Sequence, residues 1–341
     1  MATLTNVPTT RLTIRDSLPD GLLSCRARDL HLILDGPTLI ELPGKTEPPL
    51  FVSTLLHGNE DSGLGGVQRV LRSYSDALLP RSLMLLIGNV QAARQGMRRL
   101  DGQPDYNRIW PGAPSDGQTF ERQIMAEVHA RAVNRRAFAA IDLHNNTGRN
   151  PHYAVVCDLD PHTLGLAVLF ARRAVRFRGI PGTSTASFAG VIPAATAECG
   201  LPHQEANEKA AAKFLDAVLN LDELPEGPGD RSAFDLYHSL GVVRLRKEVS
   251  FLFGADKADI CFDPGIDAHN FEDLLPGTIL GATVHPMPLR MIDEAGRDVA
   301  EEYFEVSGGR LRLRKKVVPA MLTTDPRIVR QDCLCYLMER L

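Results

Sequence analysis

The sequence offers little on which a disulfide-stapled, membrane-spanning or nucleic-acid-binding protein could be built. Its six cysteines (Cys25, Cys157, Cys199, Cys261, Cys333 and Cys335) are scattered and include no C-x-x-C pair. A disulfide framework is therefore not expected, and reduced thiols in a cytoplasmic setting are. Apolar runs such as Leu83 to Ile87 fall far short of the ~20 residues a membrane helix needs, and Met1 to Asp16 lacks the apolar segment of a signal peptide. Neither sign of charge dominates: 38 Lys and Arg against 42 Asp and Glu give a net charge of −4, which argues against a nucleic-acid partner. In the basic cluster Arg310 to Lys316, arginines alternate with Leu311 and Leu313, the period of a strand with one wet face. What remains is an ordinary globular mixture, 44% hydrophobic and 23% charged over 341 residues. That excludes a disordered or collagen-like chain and leaves room for one large domain or two.

Patterning predicts the elements in order. Residues 29–43 read as two short strands around Asp35-Gly36-Pro37. Leu50 to Leu56 reads as a buried strand running into His57-Gly58. Gly65 to Leu79 has helical spacing and stops at Pro80. Strands are expected at Leu83 to Ile87, Ala139 to Leu143, Tyr153 to Cys157 and Ala194 to Glu198, and helices over Phe120 to Val133, Pro161 to Phe177 and Glu205 to Leu221. Alternating strands and helices imply an α/β fold with a mixed, largely parallel sheet and flanking helices, whose functional residues gather beyond the carboxyl ends of the strands. Pro225, Gly227, Pro228 and Gly229 read as a linker. Beyond it, short strands (Val242 to Leu245, Val249 to Phe253, Thr278 to Ala282, Arg310 to Leu313) suggest a smaller, mostly β domain. The expected division is 1–230 and 231–341.

Four clusters carry chemistry, and each has a plainer reading beside it. His57-x-x-Glu60 follows a buried strand directly, and imidazole and carboxylate are good zinc ligands; the spacing alone is common by chance. Asp142 and His144 share one face of a strand end. His144 could complete a His/Glu/His set, and Asp142 could accept the N–H of a metal-bound imidazole, or the two form a buried polar pair. Asn107-Arg108 could hold a carboxylate through amide and guanidinium donors, or be a surface dipeptide, with the single tryptophan, Trp110, packing under the loop. Glu198 ends a strand of small residues and could act as a general base, while Cys199 beside it reads as a packing residue.

In this order, His57-x-x-Glu60, Asn107-Arg108, Asp142-Leu143-His144 and Glu198-x-Gly200 resemble the succinylglutamate desuccinylase and aspartoacylase family of the zinc carboxypeptidase-like clan. The resemblance covers roughly residues 48–215, and less specifically Asp267 to Phe271 and Pro276-Gly277. It implies that His57, Glu60 and His144 bind one Zn2+ per subunit and that Glu198 is the base and later the proton donor. It gives Asn107 and Arg108 the substrate's free carboxylate, and Arg98 the scissile carbonyl, with Arg99 as its rival because the family usually has an aromatic residue there; Gln103 and Pro104 lengthen the loop before Asp105. Asp142 stands behind the ligands. Arg149 is the candidate contact for a second carboxylate, and His152 is read as a non-ligand.

The implied activity is hydrolysis of a small N-acyl amino acid, with N-succinylglutamate and N-acetylaspartate as type substrates. A zinc carboxypeptidase acting on small peptides is the alternative, and a carboxylate-sensing protein without catalysis a third reading. No membrane partner is expected, and assembly into a homo-oligomer is left open.

Overall fold

The computed structural model describes residues 11–114, 117–178, 180–228, 234–254 and 257–341. These form two compact units, one holding the chain up to His144 with Pro181–Ala194 and Ala211–Asp222, the other holding Asn145–Ile180, Ala195–Ala210 and Glu223–Leu341. The fold class is the expected one: a mixed sheet with flanking helices, together with a smaller β-rich region.

In the first unit, strands β1 (Thr13–Arg15), β2 (Thr38–Leu42), β3 (Gly44–Thr54), β4 (Leu79–Ile87) and β5 (Ala140–His144) lie in the order β1-β2-β4-β3-β5. Only β2 and β4 run antiparallel; β1 with β2, β3 with β4, and β3 with β5 are parallel. Residues 50–54 of β3 and the whole of β5 are buried, which suits continuous apolar runs covered on both faces. Helices α1 (Ser62–Ser73), α2 (Val90–Gln95) and α3 (Phe120–Asn134) connect strands of this unit. The helix expected over Phe120 to Val133 is α3: Ile124, Val128 and Ala132 are buried along it, and Thr119 caps its start by accepting from the Arg122 amide at 3.3 Å, one of the donors a helix start leaves unpaired. Phe51, Trp110 and Phe188 form the aromatic centre of this core, with ring centroids 5.3–6.2 Å apart, and Trp110 gives its indole N–H to the Tyr106 carbonyl at 2.9 Å.

The expected hairpin at residues 29–43 is half right. Thr38–Leu42 is a strand, but Ala27–Leu32 is a 3-10 helix. The alternation Leu30-Leu32-Leu34 imitates a strand, yet Leu32 is 72% exposed while Leu30 and Leu34 are buried. Burial recurs every four residues there, not every two.

In the second unit, β6 (Tyr153–Val156), β7 (Arg173–Arg176), β8 (Ala194–Glu198), β9 (Asp235–Leu245), β10 (Val318–Ala320) and β11 (Cys335–Arg340) lie in the order β8-β6-β7-β9-β11-β10. β6, β7 and β9 are mutually parallel, and β8 and β11 run antiparallel to their neighbours. A separate sheet orders Phe251–Phe253, Ile260–Phe262, Ile279–Thr283, Arg310–Leu313 and Phe304–Ser307, and Leu311 and Leu313 point into its core between exposed or half-exposed arginines, as the alternation predicts. The helix expected over Pro161 to Phe177 stops at Phe170. Asp160 caps it, accepting from the amides of His162 and Thr163 at 3.0 Å. Ala171 is extended, and Ala174 and Val175 enter the sheet as part of β7. All six cysteines are free. No helix among the described residues is long and apolar enough to cross a membrane.

Candidate metal centre

Parallel pairing sets β3 and β5 side by side with Ser53 opposite Asp142 and Thr54 opposite Leu143. Their carboxyl ends therefore deliver His57, three residues past β3, and His144, the last residue of β5, to the same place. The chain after β3 must turn sharply. Leu55 takes a left-handed φ of 55°, the Gly58 amide donates to the Arg98 carbonyl at 3.1 Å, and the Glu60 amide donates to the His57 carbonyl at 3.2 Å. Gly58 has no substitute here: a Cβ would lie 2.2 Å from the Ala93 nitrogen and 2.4 Å from the Ala92 carbonyl carbon.

This turn aims two imidazoles at one carboxylate. His57 Nδ1 is 2.8 Å from Glu60 Oε1, and His144 Nδ1 is 2.7 Å from Glu60 Oε2. One ligand atom from each of His57, Glu60 and His144 lies within 4.8 Å of the others, and all three residues are buried. The outer nitrogens are also matched: His57 Nε2 is 3.0 Å from Asp105 Oδ1, and His144 Nε2 is 2.8 Å from Asp142 Oδ2. Each imidazole thus shows Nδ1 to the centre and gives its Nε2–H to a carboxylate behind it, the arrangement that sets the tautomer of a metal-bound histidine. Burial works against charge on Glu60, but His57 and His144 outweigh it and hold its carboxyl below the usual range. Burial likewise disfavours a charged His144, and Asp142 and Glu60 reverse that, raising the imidazole well above its ordinary value. Two imidazole nitrogens and one carboxylate oxygen at this spacing fit a zinc ion, which takes such ligands at about 2.0–2.2 Å and keeps a fourth position open in catalytic sites.

Around the three stand the other predicted residues of this unit. Asp105 also takes Arg98, whose Nε and Nη2 lie 3.1 and 3.0 Å from Oδ2. Burial opposes its charge, while Arg98, His57 and Arg108 hold its carboxyl well below the ordinary value. Arg98 Nη1 is 3.8 Å from Glu60 Oε1, whereas Arg99 donates to the Gln103 carbonyl at 2.9 Å. Gln103 ties its loop down, exchanging amide bonds with Asn89 and accepting from the Leu100 amide. Asn107 Oδ1 accepts from the Ser184 amide at 2.8 Å. That fixes which end of the amide is which, and turns Nδ2 to within 3.3 Å of His144 Nε2. A nitrogen whose proton is already given to Asp142 cannot also accept, so the donors of Asn107 remain for an outside acceptor. Arg108 donates to the Asn107 carbonyl at 2.7 Å.

In the second unit, Glu198 ends β8, buried, and accepts from Asn146 Nδ2 at 2.9 Å. Asn145 and Asn146 both bond the Gly200 carbonyl. Cys199 is buried, as a packing residue would be. Arg149 is engaged by Asp267, with Nε and Nη2 at 3.1 and 2.8 Å from Oδ1. His152 bonds Asn207 at 2.8 Å and stacks on Phe170, outside the His/Glu/His group.

Two positions were passed over in the sequence. Asp105 precedes Asn107 by two residues, and only the folded loop brings it to His57. Ser53 looks like one more residue of an apolar strand until its register with Asp142 is known.

Residues 46–189 match the catalytic domain of the succinylglutamate desuccinylases and aspartoacylases; the matched span includes His57, Glu60, Arg98, Asn107, Arg108, His144 and Arg149, and ends before Glu198. No curated protein matches the chain. Solved structures with a similar fold include a succinylglutamate desuccinylase/aspartoacylase from Rhodobacter sphaeroides (TM-score 0.58, 16% identity, 88% of each chain covered). The succinylglutamate desuccinylase of Chromobacterium violaceum gives a TM-score of 0.55 at 16% identity, over 86% of this chain and 85% of that one. The product-bound ectoine utilization protein EutE (DoeB) of Ruegeria pomeroyi gives 0.52 at 17% identity, over 83% and 82%. At these identities the likeness is one of fold.

Proposed function

We propose, from the match of residues 46–189 to the succinylglutamate desuccinylase/aspartoacylase catalytic domain, that this chain is a member of that family and a zinc-dependent amidohydrolase that deacylates a small N-acyl amino acid. The observation that carries the reading is the convergence of His57, Glu60 and His144 on one buried point. Their chemistry suits one Zn2+ per chain, held through the two Nδ1 atoms and the Glu60 carboxylate. When bound, such an ion acts as a Lewis acid and lowers the pKa of water from ~15.7 toward ~7.

The protein's own residues do the rest. Asp105 and Asp142 keep the two imidazoles turned inward. Asn107 and Arg108 receive the free carboxylate of the amino acid, the amide donors already aimed by the bond to Ser184. Arg98, braced by Asp105, supplies positive charge where the amide oxygen becomes an oxyanion, typically the largest single contribution to such a reaction. The order of motifs in the sequence adds Glu198, which takes a proton from the attacking water and returns it to the leaving amine. The same order adds Arg149 for a second substrate carboxylate, which would have to displace Asp267 from its guanidinium. The products are a carboxylic acid and a free amino acid.

The test is metal analysis of the purified chain with an activity screen over succinyl, acetyl and longer N-acyl amino acids beside a peptide panel. One equivalent of zinc and preferred cleavage of an N-acyl amino acid are expected. Absence of zinc binding overturns the reading, and preferred peptide hydrolysis turns it into a carboxypeptidase. Glu198→Gln should keep zinc and lose turnover; full activity in that variant removes Glu198 from the mechanism.

A further inference from the structure

We propose that Ser53 is a positioning residue for the metal centre, acting through Asp142 on His144. The inference rests on reading that centre as a zinc site. Ser53 and Asp142 are register partners on adjacent parallel strands, and both are buried, at 0% and 1% exposure. The Ser53 hydroxyl donates to Asp142 Oδ1 at 2.7 Å. Oδ2 of the same carboxylate takes His144 Nε2 at 2.8 Å, and His144 Nδ1 faces Glu60 at 2.7 Å. The three bonds form one line from the middle of β3 to the centre.

Asp142 needs this support because rotation about its terminal torsion is soft and nearly two-fold. With only the His144 bond, the carboxylate could pivot on one oxygen and carry the imidazole plane with it. A second bond, from a side chain on a rigid neighbouring strand, removes that freedom. Partners behind the ligands are what give an imidazole its fixed tautomer and direction. A purely structural account explains less. The β3–β5 pair is already joined by its backbone ladder, and alanine would fill this buried place without bringing in a hydroxyl that must be satisfied.

The experiment is a double-mutant cycle on the full chain, with zinc affinity measured by competition against a chromophoric chelator and zinc release followed in time. Asp142→Asn should weaken zinc 10–100-fold, the range for such outer partners. Ser53→Ala should weaken it by about 10-fold, the low end of that range, and speed its release. The double variant should bind no more weakly than Asp142→Asn alone, because Ser53 then has nothing to act through. Ser53→Cys, close in size but a weak donor, should behave like Ser53→Ala and covers the case in which alanine disturbs packing. Metal-free unfolding of each variant separates loss of fold from loss of positioning. Wild-type affinity in both Ser53 variants, or losses that simply multiply in the double variant, overturns the proposal alone. A wild-type chain that binds no zinc overturns the reading of the centre, and the proposal with it.

Discussion

Asp105 lies 3.0 Å from His57 Nε2, on the far side of the imidazole from Glu60, although 48 residues separate the two in the chain. The contact makes Asp105 the counterpart of Asp142. Asp105→Asn should lower zinc affinity 10–100-fold with the fold retained, read by chelator competition and circular dichroism. Unchanged affinity would show that the His57 ring is held by its packing alone.

Gly58 is pressed against Ala92 and Ala93 of α2, with no room for a methyl group. Gly58→Ala should shift the turn that carries His57 and Glu60 and drop bound zinc well below one equivalent, measured by elemental analysis. Gly36→Ala is the control, since a Cβ there meets nothing within 4 Å; it should bind zinc as the wild type does.

Trp110 is 1% exposed and sits between Phe51 and Phe188. Trp110→Ala should cost about 3–5 kcal/mol, the usual loss for a buried aromatic, seen in urea unfolding. Trp110→Phe should cost less, with a residue of about 1–3 kcal/mol for the Tyr106 carbonyl left without its donor. A cost below 1 kcal/mol for the alanine variant would contradict the packing described.

Asp298 accepts from the amides of Met291 and Ala300 and from Arg290 Nε at 3.0–3.3 Å. Burial opposes its charge, but these donors win, and its pKa is lowered. A carboxyl depressed in the folded state stabilises at pH values above its unfolded pKa of ~3.9, and that contribution fades as pH falls through the lower folded value. Asp298→Asn should therefore cost about 1–2 kcal/mol near neutral pH, with the gap to wild type closing in acid. A gap that stays constant down to pH 3 would refute the assignment.

The proposed metal ligands were legible in the sequence because strand ends are. His57 and His144 each follow a run of buried apolar residues, and a parallel sheet must present such residues at one edge. Asp142 was legible by the period of two. The residues that stand behind or beside them were not, because their roles depend on distances that sequence spacing does not encode. Ser53 needs the β3–β5 register, and Asp105 needs the fold of its loop. Arg98 and Arg99 are adjacent and equal in chemistry, and only the loop conformation sends one to Asp105 and the other to the Gln103 carbonyl. The errors have a similar origin. Leu30, Leu32 and Leu34 satisfy a strand template until Leu32 proves to be in water, and Pro161 to Phe177 keeps enough apolar residues to hide the break at Ala171.

Two of the proposed ligands lie just after β3 and the third closes β5, so an ion between them would join Glu60 to His144, 84 residues apart in the chain, and clasp the tips of neighbouring strands. Ligand binding to the native state alone raises the free energy of opening, and strand ends otherwise fray first. Deuterium uptake at the amides of residues 54–57 and 143–144 should then slow sharply on zinc loading while the outer strand β1 is little changed, making the ion a local clamp as well as a reagent.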